Sequence, residues 1–218
     1  MLALLRRIRL LAALTATPGL LGAAHAESAP PASATASAAS DQVIVFLRHA
    51  EKPELGLGQL TCQGLNRALA LPAVLERKFG KPTAIFAASS GIKTDSGVPY
   101  SFVRPLVTIE PTAIRAGLPV DASIAFTDAA GLETALLAPA LRSGTTLVAW
   151  EHHLARTTVQ NMLTHLGGNV DAVPRRWSDD DFDSLYVVRL HWIGDQASEV
   201  RFERQAEGLN GQPAACRN

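Results

Sequence analysis

Apolar residues along this chain fall into two rhythms. Short unbroken runs, Val43 to Leu47, Thr83 to Ala88 and Leu147 to Trp150, are too brief for helices and read as strands buried on both faces. Between them the spacing turns helical. Leu65, Ala68, Leu69, Leu71, Val74, Leu75 and Phe79 recur on one face after Thr61, an N-cap type, and stop before Gly80. Pro72 inside this run predicts a kink or a restart. Tyr100 to Ala116, closed by Gly117, predicts a second helix with breaks at Pro105 and Pro111. Asp128 to Leu141 and Leu154 to Leu166 predict two more, and Gly167-Gly168 ends the last. Val120 to Ala125 suits a short strand, and Ser89 to Pro99 a loop rich in Ser, Gly and Asp. Ser184 to Trp192 and Ser198 to Glu203, turning near Gly194-Asp195, predict a hairpin at a sheet edge. Strands alternating with helices imply an α/β fold with a largely parallel sheet covered on both faces.

The N-terminus follows neither rhythm. Arg6, Arg7 and Arg9 precede an interrupted apolar stretch from Leu10 to Leu21, and Ala24-His25-Ala26 supplies a small-x-small cleavage pattern. Residues 1–26 therefore read as a secretory signal peptide, which places the mature protein in the periplasm or outside the cell. The stretch is short for a membrane span, and no Cys stands at the cleavage point, so no stable membrane anchor is expected after cleavage. Residues 27–40 are almost wholly Ala, Ser, Pro and Thr and read as a disordered linker. Residues 41–218 remain as one domain of ordinary size.

Charge narrows the partners. The 20 basic and 20 acidic residues cancel, and no basic run stands outside the leader, which argues against a nucleic-acid partner. Two cysteines, Cys62 and Cys216, would in an oxidising compartment form a candidate disulfide between the first helix and the tail. Sequence alone does not decide whether they come within reach.

The chemistry lies at the strand ends. Val43-Ile44-Val45-Phe46-Leu47 runs straight into Arg48-His49, and Leu147-Val148-Ala149-Trp150 into Glu151-His152-His153. Open α/β sheets hold ligands at the carboxyl ends of their strands. Arg104 stands near the start of a predicted helix, where free N–H groups favour anions. Two guanidiniums and two imidazoles converging on one crevice form an inventory for a phosphoryl group, with a histidine nitrogen as nucleophile. A metal site built from His49, His152, His153 and the Asp179 to Asp183 run ranks lower. Adjacent histidines at a strand end are expected to point in different directions, and a run of Asp in a loop reads as a solvated turn. His165 reads as a helix-terminus charge and His191 as a surface or satisfied core residue. Arg175-Arg176 reads as a surface pair within reach of an anionic substrate.

In these segments the chain resembles the histidine phosphatase superfamily, in its phosphoglycerate-mutase-like branch. Arg48-His49-Ala50-Glu51 matches the family's Arg-His motif after the first strand. Leu60-Thr61-Cys62-Gln63-Gly64-Leu65-Asn66-Arg67-Ala68 matches its Leu-Thr-x-x-Gly-x-x-Arg-Ala segment. Arg104 stands four residues before Thr108, as the family's second arginine does, and His152 ends a strand as its second histidine does. Trp177 to Asp183 is similar to a segment found before the last strands in some members. The resemblance covers most of Asp41 to Leu190.

The resemblance implies a three-layer α/β/α sandwich with a mostly parallel central sheet, phosphoglycerate-mutase-like, and a metal-free mechanism without cofactor. His49 would carry the phosphoryl group, and Arg48, Arg104 and His152 would bind its oxygens. The substrate would be a small phosphorylated molecule or a phosphoprotein. A mutase is disfavoured because the Glu motif of mutases is missing. The alternative is a catalytically weak phospho-ligand binding module of the same fold, because no general acid stands out. Glu133, Asp128 and Glu151 are candidates by position only. His153 competes with His152 for the second histidine's place, and Tyr100 stands where the family usually has Ser.

Overall fold

A computed structural model of the chain describes residues 38–95 and 97–216. The expected signal peptide and residues 27–37 of the expected linker lie outside the described residues. Seven strands and four α-helices follow in the order β1 (Ala39–Arg48), α1 (Cys62–Phe79), β2 (Ala84–Ala87), β3 (Ile92–Asp95), β4 (Val98–Ser101), α2 (Arg104–Ala116), α3 (Ala129–Leu136), β5 (Gly144–Trp150), α4 (His152–Leu166), β6 (Ser184–Ile193) and β7 (Gln196–Ala206). Five strands form one sheet in the order β2-β5-β1-β6-β7. Both β2 and β1 run parallel to β5, whereas β6 is antiparallel to β1 and to β7. Four of the five strands thus share one direction, and β6-β7 is the expected edge hairpin.

Why the strand runs read as continuously apolar is visible in β1. Its alternate residues enter two separate cores. Ile44 and Phe46 pack in one core with Val148, Trp150 and the α3 and α4 residues Leu132, Leu136, Val159 and Met162. Val45 and Leu47 pack in the other with Leu147, Ala149 and the α1 and α2 residues Leu71, Leu75, Ile109 and Ala113. Burial of both faces makes the run from Val43 to Leu47 wholly apolar, and the fully buried Gln42 before it is satisfied by the Leu136 carbonyl and the Trp192 indole N–H.

Several expected boundaries shift. β1 begins at Ala39, inside the stretch read as linker, because Ala39 and Ser40 pair with Ile193 and Trp192 of β6 through backbone groups alone. The loop 89–99 contains β3 and turns into β4, and Tyr100 belongs to β4 rather than to a helix. Helix α2 starts only at Arg104 and is not broken at Pro105, which sits in its first turn where no N–H is needed. Pro111 lies within α2 without ending it. Residues 120–125 make only an isolated bridge, Phe86 to Asp121. Helix α3 ends at Leu136, short of the predicted Leu141, and a separate turn of 3-10 helix covers Pro139–Leu141. Among the described residues no helix is long and apolar enough to cross a membrane.

Cys62 and Cys216 form a disulfide, with their Cα atoms 4.6 Å apart. It fastens the tail to the first turn of α1, where Asn66 also donates to the carbonyls of Pro213 and Ala215.

Candidate active site

Strand register brings the sequence motifs together. β1 and β5 are parallel neighbours with Arg48 opposite Trp150, and the His49 amide donates to the Trp150 carbonyl at 3.1 Å. The residues that leave the two strands therefore emerge side by side. Glu151 caps α4 through a hydrogen bond from the Leu154 amide at 3.0 Å, which sets His152 in the helix's first position. Arg104 arrives from the other side at the first position of α2. Thr108, one turn on, accepts from the Ala50 amide at 2.9 Å and donates to the Arg104 carbonyl at 2.8 Å. One hydroxyl thus joins the β1 loop to the α2 start, which is a physical reason for the Arg104-to-Thr108 spacing.

Arg48, His49, Lys52, Lys93, Arg104, Glu151, His152, His153 and Asp179 line a single cavity of about 270 Å³. All four predicted site residues, Arg48, His49, Arg104 and His152, are in it and buried. His49 stands edge-on to Phe102, and its Nδ1 lies 2.8 Å from the Ala50 carbonyl oxygen. That carbonyl can only accept, so Nδ1 carries the proton and Nε2 keeps a free lone pair. Burial, with Arg104, Arg48 and His152 nearby, holds the His49 pKa well below its ordinary value, so the ring is neutral.

The guanidiniums are held by backbone carbonyls. Arg48 donates through one terminal nitrogen to the carbonyl of Asp179 at 2.6 Å and, at longer range, to those of Ser178 and Asp181, and lies over the Phe182 ring. Arg104 donates to the Gly56 carbonyl at 3.0 Å and the Tyr100 hydroxyl at 3.3 Å. The Nε atoms of both arginines are buried donors without a partner among the described residues. Burial lowers the Arg48 pKa to about 10, against the pull of Glu151, Asp179 and Asp181, so it stays charged at neutral pH.

His152 is 5% exposed and sits between two carboxylates. Its Nε2 is 2.8 Å from Asp179 Oδ1, and its Nδ1 is 2.8 Å from Glu151 Oε1, off the line of a good hydrogen bond. Burial opposes ionisation of Glu151, but the His152 ring and the Leu154 amide outweigh it and bring its pKa to about 2. The contact with His152 likewise lowers the pKa of Asp179.

The general-acid candidates fare differently. Glu151 lines the cavity but is held ionised, which leaves it no proton to give. Asp128 caps α3 through the Gly131 amide. Glu133 bonds His165 Nδ1 at 2.7 Å near the far end of α4, roughly 20 Å along the helix from His152 at 1.5 Å per residue. Neither Asp128 nor Glu133 lines the cavity.

Two lining residues were not among the predicted site residues, and Asp179 entered only the lower-ranked metal reading. Lys93 enters from β3, which looked like plain loop. Asp179 belongs to the Asp run that read as a solvated turn. Arg176 is 72% exposed and reaches Asp179 at 3.3 Å. His153, over half exposed, lies against His152 with ring centroids 3.9 Å apart and planes tilted by 35°. The expectation that the two imidazoles diverge is thus overturned: both reach the same Asp179 oxygen.

Gly64 shows how closely the β1 loop and α1 are packed. A Cβ there would lie 2.4 Å from the Glu51 carbonyl oxygen, so only glycine fits. Arg67 on the same helix binds Glu51 at 2.8 Å, Glu207 at 2.6 Å and Asp183 at 3.2 Å. The Leu-Thr-x-x-Gly-x-x-Arg segment therefore braces the loop that carries His49.

No family model matches the chain, and no curated protein does. Solved structures do. A protein histidine phosphatase SixA complexed with tungstate shares 15% identity over 76% of this chain and 97% of its own, with a TM-score of 0.53. A mycobacterial hydrolase shares 14% over 76% and 89%, with a TM-score of 0.50. A phosphoglycerate mutase from Plasmodium falciparum shares 12% over 82% and 98%, with a TM-score of 0.50. The fold is therefore the phosphoglycerate-mutase-like fold found in the histidine phosphatase superfamily.

Proposed function

We propose that the protein is an exported phosphatase that hydrolyses phosphate monoesters through a phosphohistidine on His49, without a metal ion. One observation carries this reading. His49 offers a free Nε2 lone pair in a buried cavity between two guanidiniums whose Nε donors have no partner. A phosphoryl group satisfies both donors and presents phosphorus to Nε2.

In this mechanism Nε2 attacks phosphorus and the ester P–O bond breaks, so the leaving oxygen departs with the bonding pair. Arg48, Arg104 and His152 face the three equatorial oxygens, and the guanidiniums stabilise the charge that develops there. The leaving oxygen takes its proton from solvent at the cavity mouth, and an aryl leaving group needs none. Water then attacks phosphorus and the P–Nε2 bond breaks with its electron pair returning to Nε2; the water's proton leaves to solvent, inorganic phosphate departs, and His49 is again neutral with its proton on Nδ1. Export rests on the leader sequence alone. Substrates are small phosphate esters or a phosphoprotein whose phosphoryl group reaches the cavity.

The second reading, a catalytically weak phospho-ligand module of this fold, draws on the missing proton donor: the one buried carboxylate in the cavity, Glu151, is ionised. The two readings separate in p-nitrophenyl phosphate hydrolysis, which needs no donor, run in excess chelator beside His49→Ala. Chelator-resistant turnover lost in the variant supports the enzyme. Tight phosphate binding without turnover supports the module.

A further inference from the structure

We infer that His152, His153 and Asp179 form a binding site for a divalent transition metal ion of the zinc class, and that an ion there closes the phosphate pocket. Asp179 Oδ1 lies 2.8 Å from His152 Nε2 and 3.4 Å from His153 Nε2. In a tetrahedral zinc site with ligand bonds of about 2.0–2.1 Å, ligand atoms stand roughly 3.3–3.4 Å apart. The His153–Asp179 separation already has that value. The His152–Asp179 separation reaches it by a shift of about half an ångström, within reach of an Asp179 side chain that is 59% exposed on a loop.

The surroundings also suit a metal. Glu151 Oε1 faces His152 Nδ1 at 2.8 Å, and that nitrogen is buried with no hydrogen-bond partner of good geometry. A carboxylate behind one ring nitrogen, with the other turned to the ion, is the arrangement that orients histidine ligands and raises their basicity. Ligand atoms of Glu151, His152 and His153 lie within 4.8 Å of one another, which keeps the orienting carboxylate and both imidazoles in one cluster. Two imidazoles and a carboxylate select zinc, copper or nickel over magnesium or calcium, which take oxygen. Because His152 Nε2 cannot serve an ion and a phosphoryl oxygen together, metal and phosphate exclude each other. Metal binding is independent of the phosphatase reading, and only its inhibitory consequence rests on that reading.

The test is calorimetric titration of the purified, metal-stripped protein with zinc chloride, using wild type, His153→Ala and Asp179→Asn. One zinc ion per chain is expected, with affinity lowered at least tenfold in each variant and in wild type saturated with orthovanadate. Cobalt(II) should give the visible spectrum of a tetrahedral site in wild type and lose it in His153→Ala. In p-nitrophenyl phosphate assays zinc should raise KM and leave kcat unchanged. Zinc affinity equal in wild type and both variants overturns the site. Zinc binding unaffected by vanadate overturns the exclusion. Normal zinc binding without any turnover leaves the metal site standing and counts against the phosphatase.

Discussion

The Nδ1 atom of His49 lies 2.8 Å from the carbonyl oxygen of Ala50, the next residue in the chain. This short-range bond fixes the tautomer of the ring and directs the other nitrogen into the cavity. It also removes any need for a carboxylate partner behind the nucleophile, and none of those lining the cavity sits there.

A neutral His49 nucleophile predicts the acid limb of the rate profile. Burial, with Arg104, Arg48 and His152 nearby, holds its pKa well below 6.5, so the ring keeps its lone pair into acid solution. The acid limb of kcat/KM for p-nitrophenyl phosphate should therefore fall below pH 6.5. Arg48→Met removes one of the cations and should move that limb upward. A limb at or above pH 6.5 in wild type would contradict the assignment.

Arg104 predicts a loss confined to chemistry. Its Nε has no partner among the described residues, and its other nitrogens are fixed by Gly56 and Tyr100. Arg104→Ala should lower kcat/KM by roughly 100- to 1000-fold, about 3–4 kcal/mol of transition-state stabilisation. Circular dichroism should report an intact fold. A rate equal to wild type would show that the arginine does not meet the phosphoryl group.

The Arg67 cluster predicts how stability changes with pH. One guanidinium faces three carboxylates, and Glu207 is the most buried, with Oε1 lacking any partner. Burial raises the Glu207 pKa to about 8, more than Arg67 lowers it, with Asp183 and Glu51 adding to the rise. The folded state therefore holds a proton that the unfolded chain releases near pH 4.5. Stability from this group is full below that pH and is lost as pH rises toward 8, by up to about 1.4 kcal/mol per pH unit. In urea melts Glu207→Gln should show a flatter decline across this window than wild type. Identical slopes would place the proton elsewhere. Removing the guanidinium with Arg67→Met should cost about 3–5 kcal/mol, because Glu207 and the half-buried Glu51 and Asp183 lose the cation that pairs with all three.

The disulfide predicts a redox dependence of stability. Cys62 and Cys216 are 154 residues apart, and closing so long a loop restricts the unfolded chain strongly. Reduction, or Cys62→Ser with Cys216→Ser, should lower stability by about 2–5 kcal/mol in denaturant titrations. An unchanged midpoint would show that the tail's hydrogen bonds to Asn66 suffice.

The site was largely legible because its parts lie at ends of elements. Strand β1 announces Arg48 and His49 through an apolar run that both cores require, and β5 announces His152 in the same way. Sequence spacing says less about what comes from elsewhere. Lys93 sits on a short hairpin whose strands are mostly exposed, so no buried pattern marks it. Asp179 reaches His152 from a loop 27 residues away, a contact that only the folded chain creates. Tyr100 was misplaced because its apolar neighbours fit either rhythm, and only the start of α2 at Arg104 separates strand from helix. Asp128 and Glu133 were plausible acids by position, yet one is a helix cap and the other faces the far end of α4. The role of Arg67 as a brace needed partners separated by up to 143 residues, which no local pattern reveals.

The central claim is a covalent phosphoryl group on His49, and the most direct measurement is to trap it. The protein would be mixed with p-nitrophenyl phosphate in excess chelator, quenched in denaturant at alkaline pH, where phosphohistidine survives, and analysed by peptide mass spectrometry. The expected result is one phosphoryl adduct on the peptide containing His49, lost on acid treatment and missing from His49→Ala. Turnover with no adduct on His49, or turnover that persists in His49→Ala, would contradict the account.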